Sequence, residues 1–402
     1  MILKETLRSF SAEADQEVRH NILPFWLKLI DAAHDGFYGE VSFSGEVQPR
    51  ANKGGILCAR LAWTFSHAYQ VFRDPAYLEA ARHAYQFLTG PLWDAEHGGT
   101  FWSVDYAGRP LDTRKLILAQ SFTIYGLAEY FQATRDPEAL VKAIDLFDRI
   151  EAHSRDARFG GYFDAFDRRW QRTEPAPGAA KAMDPHLRLM MAYTNLLRAW
   201  DSPVLKLRLK DLVEIFLERM IDPQTNHLIP YLSEDWRPGS VEFSYGHDIE
   251  LVWLLPDAAA LLGDAPGDTA LWERVVPVML RMAEGVYRSG IDKDGAIFDK
   301  GGPGGLLCED KIWWPQAESV VGFLSAYQVS GEEKYFHAAL KNWEWIQSYL
   351  VDREHGEWRA QLTRDRKPVA GRSLVDFWKC PYHNSRCCFQ VQERIEKVIE
   401  FL

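Results

Sequence analysis

Two kinds of helical segment alternate along the chain. One kind is apolar nearly all round and must be buried on every side, whereas the other keeps a polar face for solvent. Apolar positions recur at i, i+3, i+4 and i+7, and short turns, two of them Asp-Pro, separate the two members of a pair. The pattern predicts helical hairpins, each with an inner and an outer helix, and places helices at 57–72, 75–89, 117–133, 137–151, 248–262 and 315–329.

A Gly-aromatic signal recurs between the hairpins at nearly constant spacing. Its central positions are 61 to 68 residues apart and are occupied by Gly36, Gly98, Gly160, His227, Gly295 and Gly356. Self-similarity at a fixed period is the mark of a repeat architecture. The aromatic-rich residues and the turn that follow each signal predict a short hairpin-like loop at one end of each unit.

Six helical hairpins could form an open solenoid or a closed barrel. A solenoid needs polar terminal caps, whereas here the inner helices stay apolar in the first and last repeats. We therefore predict an all-α fold, an (α/α)6 barrel of six helix hairpins with short β-hairpin-like loops at one end. Residues 1–402 are expected to form this single catalytic domain.

The composition is that of a folded acidic protein with many aromatic rings. The 402 residues include 46 Lys and Arg, 57 Asp and Glu and 15 Trp, which gives a formal net charge of −11. Without a basic stripe the chain is a poor partner for a phosphate backbone, and no apolar run is long enough for a membrane span. We expect no nucleic acid and no membrane as partners, and a monomer or a homodimer.

The five cysteines form neither a metal nor a disulfide pattern. Their number is odd and no CxxC spacing occurs among Cys58, Cys308, Cys380, Cys387 and Cys388. Free thiols in a reducing cytoplasm are the expectation. The sequence also lacks metal-ligand spacings, phosphate loops and dinucleotide fingerprints, so it predicts no metal and no cofactor.

Polar and aromatic residues crowd the starts of the predicted inner helices. In a closed barrel these helix ends converge on one funnel, where charged groups must be paired or functional. His247 and Glu250, like His383 and Arg386, stand three residues apart and can share one helix face. Either His could be a buried structural group or a base with an orienting partner. The candidate substrate-binding residues are Arg60, Asp184, His186, Arg188, Glu250, Trp314, Glu318, Trp378 and Arg386.

Several long motifs resemble those of one enzyme family. They are Ser244-Tyr245-Gly246-His247-Asp248-Ile249-Glu250, Trp313-Trp314-Pro315-Gln316-Ala317-Glu318 and Trp378-Lys379-Cys380-Pro381-Tyr382-His383-Asn384-Ser385-Arg386. On these motifs the chain resembles the N-acylglucosamine 2-epimerase superfamily, and most closely its cellobiose 2-epimerase branch. The resemblance implies an (α/α)6 barrel that interconverts sugars epimeric at C2 without a metal or redox cofactor.

The resemblance also implies roles for individual residues. His247 and His383 match the two acid/base histidines, and Trp378 matches the ring that stacks on the sugar in cellobiose epimerases. The matching pocket residues are Arg60, Glu250, Glu318 and Arg386.

One segment departs from the motif that it resembles. Cellobiose epimerases carry Asn-Thr-His-Leu-His where this chain has Asp184-Pro185-His186-Leu187-Arg188. The second His of that motif, which is thought to assist ring opening, is replaced by Arg188. Because a guanidinium stays protonated, we expect Arg188 to influence the choice of substrate rather than to transfer protons.

Inversion of C2 needs a proton-transferring group on each face of the sugar. The aldehyde of an open-chain aldose acidifies the C2–H, so that one base can remove this proton to give a cis-enediolate, and the proton is returned on the opposite face. Histidine titrates near neutrality and suits both roles, and Arg60 is suited to stabilise the enediolate oxygens.

Several alternatives stay open at this point. An aldose–ketose isomerase uses the same enediolate, a glycoside hydrolase would use paired carboxylates on the same barrel, and a non-catalytic sugar-binding protein would use neither. The substrate is also open among N-acetylglucosamine or N-acetylmannosamine, cellobiose, and free mannose or glucose.

Overall fold

The computed structural model describes residues 2–175, 178–263 and 270–401. Its helices are α1 (Ile2–Glu17), α2 (Leu23–Leu27), α3 (Gly55–Phe72), α4 (Pro75–Thr89), α5 (Ile117–Thr134), α6 (Pro137–His153), α7 (Met183–Ala199), α8 (Pro203–Ile215), α9 (Tyr245–Leu262), α10 (Ala270–Ser289), α11 (Trp313–Ser330), α12 (Glu333–Trp345) and α13 (Tyr382–Phe401). One π-helical turn follows each of α1, α8 and α12, at Val18–Ile22, Phe216–Met220 and Ile346–Leu350.

The strands are short and lie between the helical pairs. They are β1 (Lys53–Gly54), β2 (Ser103–Val104), β3 (Pro110–Asp112), β4 (Lys115–Leu116), β5 (Ala165–Phe166), β6 (Lys181–Ala182), β7 (Tyr231–Leu232), β8 (Phe243–Ser244), β9 (Lys300–Gly302), β10 (Gly305–Cys308), β11 (Lys311–Ile312) and β12 (Gln361–Leu362).

The longer helices form two concentric rings. In the inner ring α3, α5, α7, α9, α11 and α13 each pack against the next, and α13 also packs against α3, which closes the ring. Outside it, α4, α6, α8, α10 and α12 each cover the inner helix that precedes them, and α1 covers α13. The predicted (α/α)6 barrel is confirmed, and its sixth helix pair is made by the two ends of the chain. Within the described ranges, no helix is long and apolar enough to cross a bilayer.

The inner helices begin up to three residues earlier than the apolar pattern predicts. α9 starts at Tyr245 rather than at residue 248, and α11 starts at Trp313 rather than at residue 315. Pro315 is tolerated inside the first turn of α11, because the N–H groups of a first turn have no partner within the helix. The earlier starts place His247 and Trp314 in the first turns of their helices.

The short strands close each helical unit. β1, β4, β6, β8 and β11 each lead directly into an inner helix and pair antiparallel with a strand that follows the outer helix of the same unit, namely β2, β5, β7, β9 and β12. Hairpins of consecutive strands occur at β2–β3 and β9–β10. The strands therefore lie at the end of the barrel where the inner helices begin.

Buried lysines fasten the loops at this end. In five repeats a lysine just before an inner helix pairs with a carboxylate of a Gly-aromatic loop at N···O distances between 2.8 and 3.2 Å: Lys53–Asp31, Lys115–Asp94, Lys181–Asp156, Lys311–Asp292 and Lys379–Glu357. These lysines are buried, and burial of a charge is tolerated only when it is paired. The fourth repeat instead has Phe243, whose ring stacks on His227.

The fourth residue of four inner helices makes a second kind of loop-fastening contact, a hydrogen bond between its side chain and the loop backbone. Each of these residues accepts a hydrogen bond from the backbone N–H that follows the Gly-aromatic turn preceding its helix. The acceptors are Gln120, His186, Asp248 and Gln316. Gln120 and Gln316 also donate to the carbonyl of that same residue. The loops are therefore held by the inner helices through groups that repeat along the chain.

We expect replacement of Lys115 by Met to lower the free energy of unfolding by about 3–5 kcal/mol, because the change leaves the buried carboxylate of Asp94 with less compensation. Urea denaturation followed by circular dichroism measures the loss. The neighbouring Arg114→Met is the matched control, since Arg114 forms an exposed pair with Asp112 and its loss should cost no more than about 1 kcal/mol. Equal losses in the two variants would contradict a fastening role for the buried lysine.

Candidate active site

The inner-helix ends bring most of the predicted site residues to one mouth of the barrel. Arg60 comes from α3, and α7, α9, α11 and α13 each supply charged or aromatic groups near their N-termini. The residues that are linked by direct contacts in this region are Asp184, Arg188, His247, Glu250, Trp314, Glu318, His383 and Arg386.

His383 is a buried histidine with a fixed orientation. Its Nδ1 lies 2.6 Å from Oε1 of Glu318, and because a carboxylate only accepts, Nδ1 carries the proton and leaves Nε2 as the basic nitrogen. Burial, followed by the positive charge of Arg60, holds the pKa of His383 well below its usual value, although Glu250 acts in the opposite direction. At neutral pH, His383 is therefore an uncharged imidazole that can accept a proton.

His247 lies near His383 and has a carboxylate of its own. Its Nε2 is 3.5 Å from Oδ1 of Asp184, and its backbone N–H is capped by Ser244. The indole of Trp314 contacts both histidines, with ring centroids 4.7 Å from His247 and 5.6 Å from His383. The two imidazoles thus contact the same tryptophan.

A continuous series of ion pairs joins the two carboxylates that orient the histidines. Arg188 donates to Asp184 at 2.9 Å and to Oε1 of Glu250 at 2.6 Å. Arg386 donates from Nη2 to the same oxygen of Glu250 at 2.8 Å and to Oε1 of Glu318 at 2.7 Å. Four inner helices contribute to this series, and most of its members are buried, so each charge depends on its neighbours.

The pKa values of the carboxylates reflect this pairing. Burial raises the pKa of Glu250, but the charges of Arg188 and Arg386 outweigh it and hold the pKa below its usual value. For Asp184, burial likewise raises the pKa, while Arg188 and the hydrogen bond from His247 lower it by more. Both carboxylates are therefore ionised at neutral pH.

Arg60 is a buried cation without a carboxylate partner among the described residues. Its Nη1 donates to the carbonyl of Trp378 at 3.0 Å, and its guanidinium lies 4.2 Å from the ring centroid of Phe122. Its Nε makes no hydrogen bond in the described part of the protein. Arg60 therefore keeps hydrogen-bonding capacity for a ligand, and its role in substrate binding stays a prediction.

An aromatic cluster lies beside Arg60 at the rim. The side chain of Trp378 is 44% exposed, and its ring centroid is 5.7 Å from that of Trp102. Phe377 contacts both tryptophans. An exposed indole of this kind offers a flat apolar face for the C–H face of a sugar, so the prediction for Trp378 is compatible with its position.

His186 does not join the other predicted site residues. Its Nε2 accepts the backbone N–H of Tyr162 at 2.9 Å, and its Nδ1 lies 2.7 Å from the carbonyl oxygen of Ala182. The side chain is completely buried, and both ring nitrogens are used by the backbone. His186 occupies the loop-fastening position of Gln120 and Gln316, and its predicted role in substrate binding stays a prediction that these contacts do not support.

Three candidate metal-binding atoms come together in this site. Glu250, Glu318 and His383 each offer one ligand atom, and these atoms lie within 4.8 Å of one another. Arg386 already donates to both carboxylates, and Arg188 donates to Glu250, so a divalent cation would have to compete with two buried guanidiniums. Independence from metal stays a prediction.

Sequence reasoning missed two residues that support the acid–base groups. Trp253 donates from Nε1 to Oε2 of Glu318 at 2.9 Å, and Arg386 donates from Nη1 to the hydroxyl of Tyr382. Trp253 follows Glu250 by three residues, and Tyr382 precedes Arg386 by four. This helical spacing was the available signal.

The fold is a closed helical barrel with buried histidines, carboxylates and arginines at one mouth. The family model for N-acylglucosamine 2-epimerase (GlcNAc 2-epimerase) matches residues 36–387. The chain belongs to this family, and the predicted resemblance and the isomerase class are confirmed.

Individual relatives agree with this placement. The cellobiose 2-epimerase of Bacteroides fragilis is 39% identical over 386 residues, which cover 94% of this chain and 97% of the relative. The structure of cellobiose 2-epimerase from Spirochaeta thermophila has 38% identity and a TM-score of 0.92, with 99% of both chains covered. A structure of D-mannose isomerase, at 21% identity with a TM-score of 0.83, covers 96% of this chain and 97% of its own and shares the fold.

We expect His186→Gln to keep the fold and to remove one source of acid sensitivity. Burial lowers the pKa of His186 to about 4, whereas an unfolded His titrates near 6.5. The unfolded chain therefore binds this proton first as the pH falls, and the wild type should lose about 3 kcal/mol relative to the variant between pH 6.5 and 4. Urea unfolding at several pH values measures the difference. A difference that does not change with pH would contradict the assignment.

Proposed function

We propose that the protein inverts C2 of the reducing-end glucose residue of a 4-linked disaccharide of the cellobiose type. The family and the relatives named cellobiose 2-epimerase support the reaction class and this substrate. The observation that carries the proposal is the pair of histidines that contact Trp314, each beside a carboxylate of its own.

His383 and His247 are the two proton-transferring groups. In the open-chain sugar, the neutral Nε2 of His383 can remove the C2 proton. His247 then donates a proton to C2 from the opposite face. The same two groups serve the reverse reaction with their roles exchanged. Because the rings of His247 and His383 both contact the indole of Trp314, a sugar that lies against this indole would meet both histidines.

Arg60 supplies positive charge for the enediolate. A buried guanidinium with no carboxylate partner in the described ranges is a preorganised site for oxygen atoms that gain negative charge during the reaction. Such charge is more effective in a site that excludes water, because the local dielectric constant is low.

Trp378 is the proposed platform for the second sugar ring. Its exposed indole lies at the rim, and its backbone carbonyl accepts a hydrogen bond from Arg60. The same residue therefore links the rim to the guanidinium of Arg60. A disaccharide would then place its reducing end at the histidines and its other ring on Trp378.

Glycoside hydrolysis fits the geometry poorly. Hydrolases place two carboxyl groups about 5–10 Å apart across the scissile bond. Here Glu250 and Glu318 both accept from one nitrogen of Arg386, and neither is free to act as an acid. An aldose–ketose isomerase would differ in the position that receives the proton, and the product distinguishes it.

Epimerisation of cellobiose in deuterated water should place deuterium at C2 of the product, and proton and carbon NMR can follow both C2 epimer and ketose. His247→Ala and His383→Ala should each lower the rate of inversion beyond the roughly 10²–10⁴-fold of a single acid–base group, because inversion needs both faces. Near-native inversion in either variant, or ketose as the main product, would refute the proposal.

Catalysis should be independent of metal ions. Dialysis against a strong chelator is expected to leave the epimerisation rate unchanged, because Arg188 and Arg386 already compensate the converging carboxylates. A loss of activity that a divalent cation restores would show that His383 is a ligand rather than a base.

We also propose that the protein works in the cytoplasm as a monomer or homodimer. All five cysteines are free thiols, and four of them are buried, which suits a reducing compartment. Light scattering after size-exclusion chromatography and fractionation of the producing cells would test the two statements.

A further inference from the structure

The two histidines are the ends of one uninterrupted series of polar contacts. It runs from His247 to Asp184, Arg188, Glu250, Arg386, Glu318 and His383, and every link is 3.5 Å or shorter. Glu250 stands at its centre, because its Oε1 accepts from both arginines.

The two halves of this series have the same composition. On one side, Glu318 contacts His383, and Arg386 joins Glu318 to Glu250. On the other side, Asp184 contacts His247, and Arg188 joins Asp184 to Glu250. Asp184 thus contacts Nε2 of His247 at 3.5 Å in the place where Glu318 contacts Nδ1 of His383 at 2.6 Å.

A carboxylate that contacts an imidazole has a known effect on it. It selects the tautomer, fixes the ring orientation and stabilises the imidazolium that forms when the ring accepts a proton. Arg188 bridges two carboxylates, since its Nε donates to Asp184 and its Nη1 donates to Glu250. Its position therefore suits the orientation of Asp184 better than direct recognition of a substrate.

We propose that Asp184 and Arg188 are positioning residues for His247, as Glu318 and Arg386 are for His383. The inference rests on the proposed function. It makes the two sides of the site independent in one respect: damage to one carboxylate should impair proton transfer on one face of the sugar and leave the other face active.

Exchange of the C2 proton with solvent reports each face separately. A base that removes a proton and returns another on the same face labels C2 without inversion. Starting from pure cellobiose and, separately, from its pure C2 epimer, deuterium uptake at C2 therefore measures one histidine in each experiment.

The test compares Asp184→Asn and Glu318→Gln in deuterated water. Asp184→Asn should slow uptake into one epimer by at least about tenfold and leave uptake into the other within about twofold of the wild type. Glu318→Gln should reverse this preference. Arg188→Lys should slow uptake into the same epimer as Asp184→Asn, and it provides a second variant if the first does not fold.

Glu129→Gln is the matched control. Glu129 is a buried carboxylate that contacts Nδ1 of His67 at 2.8 Å, a similar pair that lies outside the series. Uptake into both epimers should match the wild type in this variant. Circular dichroism melting of each variant verifies the fold.

Opposite preferences in the two carboxylate variants would support the inference. Equal loss of uptake into both epimers in folded Asp184→Asn, or the same preference in both variants, would overturn it while leaving the proposed function intact. Absence of C2 exchange and of inversion in the wild type would overturn the proposed function and the inference with it.

Discussion

The structure depends on the compensation of charge inside a closed ring of helices. Arg188 of α7 and Arg386 of α13 both meet Glu250 of α9, and because α13 is not a neighbour of α9 in the ring, the two ion pairs exist together only when the helices converge on one axis. If one of these buried charges lost its partner, the folded state would be strongly destabilised, because the charge would be shielded from water without compensation. Closure of the barrel and formation of the site are therefore one event, and neither arises from a single repeat.

The loop fasteners leave the funnel free for chemistry. Buried lysines and the fourth residues of the inner helices hold the Gly-aromatic loops in the same way in several repeats. Because these contacts use the lysine before the helix and the fourth residue of the helix, other positions in the first turns, such as His247 and Trp314, can differ from repeat to repeat. The repeated residues support the architecture, and the residues that break the repeat form the candidate site.

Much of the fold could be predicted from sequence, because apolar periodicity reports burial directly. The residues of the site were harder to predict from the sequence. His186 looked like a ligand group in isolation, although Gln120 and Gln316 occupy the equivalent slot and could have indicated a fastening role. The contact of Arg188 with Glu250 spans 62 residues, and that of Arg386 with Glu250 spans 136, so only the closed ring defines them.

Arg60 is a charged residue of the site that does not belong to the series of ion pairs. Three carboxylates and two arginines give the series a formal charge of −1, and Arg60 lies outside it without a carboxylate partner among the described residues. In the proposed reaction, the guanidinium of Arg60 would meet an enediolate whose oxygen atoms carry negative charge. Under the proposed function, Arg60 would stabilise the charged intermediate more than the neutral sugar, and this difference, rather than tight binding of the sugar, would lower the barrier.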